Sequence, residues 1–360
     1  MNSGQCEVVE LHRRQNCHYQ LANPWNQPLG RIGEFLEPIL LDPQSYLVEP
    51  GARLVSANLV GVDRRRRIVE ETLHLKEIDR RLRRKLRLRS LLPPQERLTG
   101  SVCSLVDSRQ WSGSYYHWFL DCLPRLIAAD HYSHRFGEPT LVIVPAILNP
   151  SQEASLHLLA IAPERRIRHC PVGRGGLRVE RLIASVAHRW QRRGDAPFDA
   201  ASPWAIQQLA AWLSQGTPLP PTTPPRRIYL SRKGVPTRRV ANEEAVLALL
   251  EPHGFVAVQS EQLSLGEQIA QFRGATHIVA PHGASLTNLL HARGGSVLEL
   301  FQEGHGVRPD FFQLAMINQL DYHHALCPST GSAMHCVIRT QVIEDFLALT
   351  LCPPLHAIGS

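Results

Sequence analysis

The stretch THIVAPHGASLTNLL, residues 276–290, decides the fold. Five mostly apolar residues run into Pro281-His282-Gly283-Ala284, and apolar side chains then recur at helical spacing. A short apolar run bounded by turn residues reads as a buried strand, and a 3.6-residue period reads as a helix. The neighbours repeat the alternation. RRIYLSR (226–232) is a strand, and NEEAVLALLEPHG (242–254) is a helix with Asn242 at its N-cap. FVAVQ (255–259) is a strand, and SLGEQIAQFRG (264–274) is a helix with a Ser264/Glu267 capping box. SLTNLLHARG and SVLELF complete a β-α-β-α-β-α-β series, the pattern of a parallel α/β sheet.

Upstream the alternation is looser. TLVIVPAIL (140–148) and LRVERLIASVA (177–187) read as strands. SQEASLHLLAIAP (151–163) and SPWAIQQLAAWLSQ (202–215) read as helices, the latter with Ser202 as N-cap and Pro203 at the first helical position. Residues 1–100 read as short strands and turns. GTPLPPTTPP (216–225) is stiff and proline-rich, a linker. The expected organisation is an N-terminal domain over 1–215, a linker over 216–225, a second, α/β domain over 226–340 and a C-terminal helix or tail over 341–360.

A chain of 360 residues, 43% apolar and 20% charged, can bury a core without staples. Its eight cysteines show no CxxC and no paired zinc spacing, and nothing resembles a signal peptide or a transmembrane run. A reduced, cytoplasmic protein is expected. The net charge of +7 suits anionic ligands: sugar nucleotides, acidic polysaccharide or the cytoplasmic face of a membrane. RRLRRKLRLR (80–89) concentrates that charge among leucines. Its bland reading is a solvated helix or hairpin face, and its sharper one a patch for anionic lipid or an acidic acceptor. Nucleic acid fits poorly, because no aromatic residues are interleaved.

In open parallel sheets, ligands sit beyond the carboxyl ends of the strands. The Pro281–Ala284 corner lies at such an end. Gly283 offers close backbone approach, the amides of Ala284 and Ser285 open a helix, and His282 adds a donor. Together they suit phosphate, although a tight turn with a satisfied histidine has the same pattern. Arg232 follows another strand end. Glu299 interrupts the apolar SVLELF and must meet donors, either ribose hydroxyls or an arginine. In SYYHWFLDCLPRL, His117, Asp121 and Arg125 fall at i, i+4 and i+8, on one face if Pro124 leaves the register intact.

These residues resemble glycosyltransferase family 61. SYYHWFLDCLPRL is similar to its HW-x-x-D-x-L-PRL signature, IYLSRKGVPTRRVANEEAV to its SR…RR-x-x-NE element, and EQIAQFRGATHIVAPHGASLTNLLHARGGSVLELF to its EQ…HGA…N…VLEL element. The resemblance implies a GT-B-like α/β fold, two Rossmann-like domains facing a cleft. It implies inverting transfer of a hexosyl or pentosyl group from a nucleotide-diphosphate sugar, a UDP-sugar at family level, to a glycan or lipid-linked acceptor in capsular or exopolysaccharide biosynthesis. No cofactor and no DxD metal site are implied; Asp195 and Asp199 stand too far apart for one. In such a reaction Asp121 serves as base, with His117 as its partner or as the base itself. Arg232, Arg239, His282, Gly283, Ala284 and Ser285 hold the diphosphate, Glu299 the ribose, and Asn288 the helix that carries the corner. A nucleotide-sugar epimerase on the same scaffold, or a non-catalytic protein binding anionic surfaces, are the competing readings.

Overall fold

A computed structural model describes residues 6–21, 28–73, 79–106, 113–169, 175–185, 190–193, 196–218, 223–331 and 335–351. The chain forms two compact units. One combines Met1–Cys17 with Ile39–Gly216, the other His18–Pro38 with Thr217–Ser360. Residues 18–38, which the sequence reading left in the N-terminal part, thus pack with the second unit.

The first unit is built on an eight-stranded sheet. Its strands are β1 (Glu7–His12), β2 (Gln44–Pro50), β3 (Arg53–Val55), β4 (Val60–Val62), β5 (Glu96–Ser104), β6 (Leu141–Pro145), β7 (Arg166–His169) and β8 (Leu177–Ser185). The main path runs β1-β2-β8-β5-β6-β7. From β8 to β7 all neighbours are parallel, whereas β1, β2 and β8 pair antiparallel. This departs from a wholly parallel Rossmann-like domain. The antiparallel flank comes from β1 and β2, with β3 and β4 beside it, and a tight turn at Gly51, φ +67°, joins β2 to β3. The unit's helices are α1 (Arg80–Arg89), α2 (Arg125–Phe136), α3 (Pro150–Leu158) and α4 (Pro203–Gly216). Ser202 Oγ accepts the Ala205 amide at 3.3 Å, as the sequence suggested.

The second unit carries β9 (Arg227–Leu230), β10 (Phe255–Val258), β11 (His277–Pro281), β12 (Ser296–Gln302) and β13 (Asp321–Cys327). All are parallel, in the order β10-β9-β11-β12-β13. The chain therefore builds outward from β9 in one direction, then returns to build in the other. The reversal falls between β9 and β11, and beyond the carboxyl ends of such a pair an open sheet leaves a crevice. Between the strands run α5 (Glu243–Leu250), α6 (Leu265–Gly274), a 3-10 helix Ala284–His291 and α7 (Asp310–Ile317). After them α8 (Thr340–Leu351) buries Ile343, Phe346 and Leu347 in a core shared with Tyr229, Val279 and Leu298.

The Ser264/Glu267 capping box forms, with Glu267 N to Ser264 Oγ at 3.3 Å and Ser264 N to Glu267 Oε2 at 2.7 Å. Asn242 sits at the start of α5 but makes no side-chain cap. Its amide instead clamps Ile338, donating to the carbonyl at 2.8 Å and accepting from the amide at 2.9 Å.

Candidate active site

The carboxyl edge of the second sheet gathers most of the residues expected to bind a donor. Arg232 follows β9, and the 281–285 corner follows β11. The Arg232 guanidinium is partly buried. Its Nε donates to the Arg238 carbonyl at 3.1 Å and its Nη2 to the Thr237 carbonyl at 3.2 Å. Among the described residues it makes no ion pair. Burial first, and the Arg238 charge second, push its pKa down to about 10. It therefore stays charged at neutral pH, with the Glu261 carboxylate acting on it only at longer range, and an incoming anion would stabilise it further.

Gly283 was expected to leave room for a ligand. The structure gives that room to Arg232. A β-carbon on Gly283 would lie 2.1 Å from Arg232 Nη1. The glycine is thus a seat for the guanidinium. Beyond it Ala284 is exposed and Ser285 half-buried, and no backbone acceptor takes their amides among the described residues.

His282 is buried, with its ring against Phe301 at a centroid distance of 4.9 Å and Phe311 at 5.3 Å. Its Nδ1 lies 2.5 Å from Glu299 Oε1, and Tyr322 Oη donates to Glu299 Oε2 at 2.7 Å. Glu299 is completely buried, which raises its pKa against the opposing pull of His282 and Tyr322. Both carboxylate oxygens are engaged within the fold. Glu299 fixes the orientation of the His282 ring through Nδ1, and Nε2 is the nitrogen turned away from the pair.

Three residues not singled out from the sequence join this edge. Arg238, at φ +57°, occupies the left-handed region that bulky residues rarely adopt. His305 packs on His282 at 4.8 Å, and Arg308 pairs with Asp310 at 2.9 Å. Burial, then the charges of His282, Arg238 and Arg308, hold the His305 pKa down at about 4. The neutral imidazole can accept or donate a hydrogen bond at neutral pH. Of the doubled arginine in PTRRV, the sequence reading chose Arg239. Arg239 is exposed and donates to Val235 O at 2.5 Å. It lines a cavity of about 420 Å3 with Lys233, Asn242, Glu243 and Glu244.

Asn288 is a brace. Its Nδ2 donates to Gln268 Oε1 at 2.9 Å and to Ser285 O at 3.1 Å, tying the 3-10 helix to α6. His323 Nε2 lies 2.8 Å from Asp321 Oδ2, His324 Nε2 lies 2.9 Å from Pro28 O, and no metal-holding group of three appears among the described residues.

The second candidate lies in the first unit. Tyr115–His117 is helical, Trp118–Cys122 is a π turn closed by Leu123 N to Trp118 O, and Pro124 caps α2. Single π turns recur at functional sites because they re-aim side chains. Here His117 Nδ1 meets Asp121 Oδ2 at 2.6 Å. The Asp121 side chain is 5% exposed and that of His117 22%, so the imidazole is the outer member. Arg125 Nε donates to the Asp121 carbonyl at 3.0 Å, and its Nη1 to Ser104 O at 3.3 Å.

The second unit carries basic side chains at the switch point of a parallel sheet, and the first unit carries a part-buried His–Asp pair. The chain belongs to glycosyltransferase family 61. The family model Glycosyltransferase 61 matches residues 115–298, just over half of the chain. The protein is a transferase enzyme. The match contains His117, Asp121, Arg232 and the 281–285 corner, and ends one residue before Glu299. No curated protein matches the chain. Among the described residues, no helix is long and apolar enough to cross a membrane.

Proposed function

We propose that the enzyme is a cytoplasmic, inverting glycosyltransferase of GT-B type. It moves a sugar from a nucleoside diphosphate donor, UDP at family level, to a hydroxyl of a glycan or lipid-linked acceptor in extracellular polysaccharide synthesis. The observation that carries this reading is the partly buried Arg232 guanidinium seated on Gly283, without an ion pair among the described residues, at the switch point of a parallel sheet.

Inverting transfer needs the departing diphosphate stabilised and the acceptor hydroxyl deprotonated. In this reading Arg232 receives the developing charge, with Arg238, His282 Nε2, His305 and the Ala284 and Ser285 amides around it. A charge-assisted hydrogen bond contributes ~1.5–3 kcal/mol. A helix terminus adds ~0.3–1 kcal/mol. The arginine is therefore the largest single contribution. Proton removal falls to the His117–Asp121 pair. Asp121 holds the Nδ1 proton, which leaves Nε2 of the outer imidazole to take the proton from the acceptor as its oxygen attacks the anomeric carbon.

Calorimetric titration of the wild type and Arg232→Ala with UDP, GDP and ADP, with and without magnesium, tests the donor site. One nucleoside diphosphate should bind, and the variant should lose at least tenfold in affinity. Equal binding by both proteins would remove Arg232 from the donor site, and no binding by the wild type would remove the site itself.

A further inference from the structure

We infer that α1 and the turn after it form a docking surface for the anionic headgroups and outer acyl region of a lipid bilayer. The helix is held in a fixed orientation. Asp79 Oδ1 accepts the Leu82 amide at 2.6 Å, Leu86 is buried beside Val55, Val62 and Leu73, and Arg83 forms a bidentate pair with Glu70. The remaining cations, Arg80, Arg81, Arg84, Lys85, Arg87 and Arg89, make no ion pair among the described residues. Local charge therefore stands well in excess of what the fold neutralises.

Leucines share this surface. Helical spacing places Arg81, Arg84 and Leu88 opposite the buried Leu86. The turn continues through Leu91 N to Leu88 O at 3.1 Å and Leu92 N to Arg89 O at 3.2 Å, which places two further exposed leucines directly after the helix. Leu88 is 54% exposed, Leu91 57% and Leu92 39%. Arg53 holds this apolar end in place by donating to the Leu92 carbonyl at 2.7 Å. The outward side thus reads as cations followed by a leucine tip.

An acidic polysaccharide or a nucleic acid would pair with the cations but gain little from exposed leucines. A bilayer stabilises both, since headgroup charge attracts the arginines and the acyl boundary buries the leucines. The family membership does not supply this inference, and its test uses no sugar donor. It therefore fails or survives separately from the transferase reading.

The test is flotation of the full-length protein with vesicles of phosphatidylcholine alone, or with phosphatidylglycerol added. Binding should require phosphatidylglycerol and weaken with salt. Each surface cation contributes about fivefold to partitioning, so Arg81→Gln/Arg84→Gln/Lys85→Gln should bind roughly a hundredfold more weakly. Leu88→Asn/Leu91→Asn/Leu92→Asn should lose at least about tenfold on vesicles while keeping wild-type binding to heparin, a soluble polyanion. All these side chains are solvent-facing, and a thermal melt confirms each variant's fold. Equal flotation with both vesicle types would overturn the inference, as would undiminished vesicle binding by the leucine variant. The latter outcome would assign the surface to a soluble polyanion.

Discussion

The guanidinium of Arg232 rests on the α-carbon of Gly283, so close that a β-carbon there would fall 2.1 Å from Nη1 and 3.1 Å from Cζ. Gly283 is at φ 177°, an extended conformation open to any residue. The demand for glycine comes from the arginine, not from the backbone. Arg232→Ala should lower kcat/KM for transfer by one to two decades, the loss of ~1.5–3 kcal/mol. Gly283→Ala should approach that loss by displacing the guanidinium from the Thr237 and Arg238 carbonyls. The double variant should be no worse than Arg232→Ala, because the methyl then clashes with nothing. A double-mutant cycle on kcat/KM measures this, and full additivity would mean the two residues act separately.

Asp121 and His117 carry the second prediction. Asp121→Asn keeps the shape of the pair but removes the charge that stabilises an imidazolium. Turnover should fall by ~10²–10⁴, with nucleoside diphosphate affinity unchanged. Circular dichroism checks the fold and calorimetry the affinity. Near wild-type transfer in a folded Asp121→Asn protein would exclude the pair from proton removal.

Much of this was legible in the sequence because the second unit's strands are short apolar runs separated by helices with clear punctuation. The Ser264/Glu267 box and Gly274 marked α6 to the residue. Strand β13 was not legible, because DYHHALC carries two histidines and an aspartate where a buried strand usually shows hydrocarbon. The structure pairs Nε2 of His324 with Pro28 O and Nε2 of His323 with Asp321, partners that no local pattern reveals. The same holds at the site. Periodicity located Arg232 and His282, but only three-dimensional packing brings His305 and Tyr322 to His282 and Glu299. The sequence reading took Arg239 over Arg238, and only the folded chain shows Arg239 exposed and Arg238 half-buried beside Arg232.

The chain Tyr322–Glu299–His282 makes a third prediction. Tyr322→Phe removes one of two donors to a buried carboxylate. Leaving that oxygen unsatisfied should destabilise the fold by ~1–3 kcal/mol, read from urea unfolding. Donor affinity should shift less, because His282 keeps its own bond to Glu299. Glu299→Gln keeps the volume but removes the charge that holds the Nδ1 proton. Its expected effect is a fall of at least tenfold in transfer and an altered pH–rate profile, with the fold retained. An unchanged profile would make Glu299 a structural residue alone.

His291 sets the last prediction, on acid stability. It is 2% exposed, and neither ring nitrogen has a partner among the described residues. Burial, then the charges of Arg273 and Arg293, hold its pKa down from 6.5 to about 3. The folded chain therefore refuses a proton that the unfolded chain accepts below 6.5. Stability should be unaffected above that value and decline as pH falls toward 3, by ~1.4 kcal/mol per pH unit from this group. His291→Leu cannot take up that proton in either state. Urea midpoints for the two proteins should run parallel above pH 7 and diverge below 6.5, with the variant losing less. His305, also held neutral in the fold, contributes in the same direction but is only half-buried and remains in both proteins. It therefore cancels from the difference between the curves, and curves that stay parallel down to pH 4 would show that the buried imidazole is not the source of acid lability.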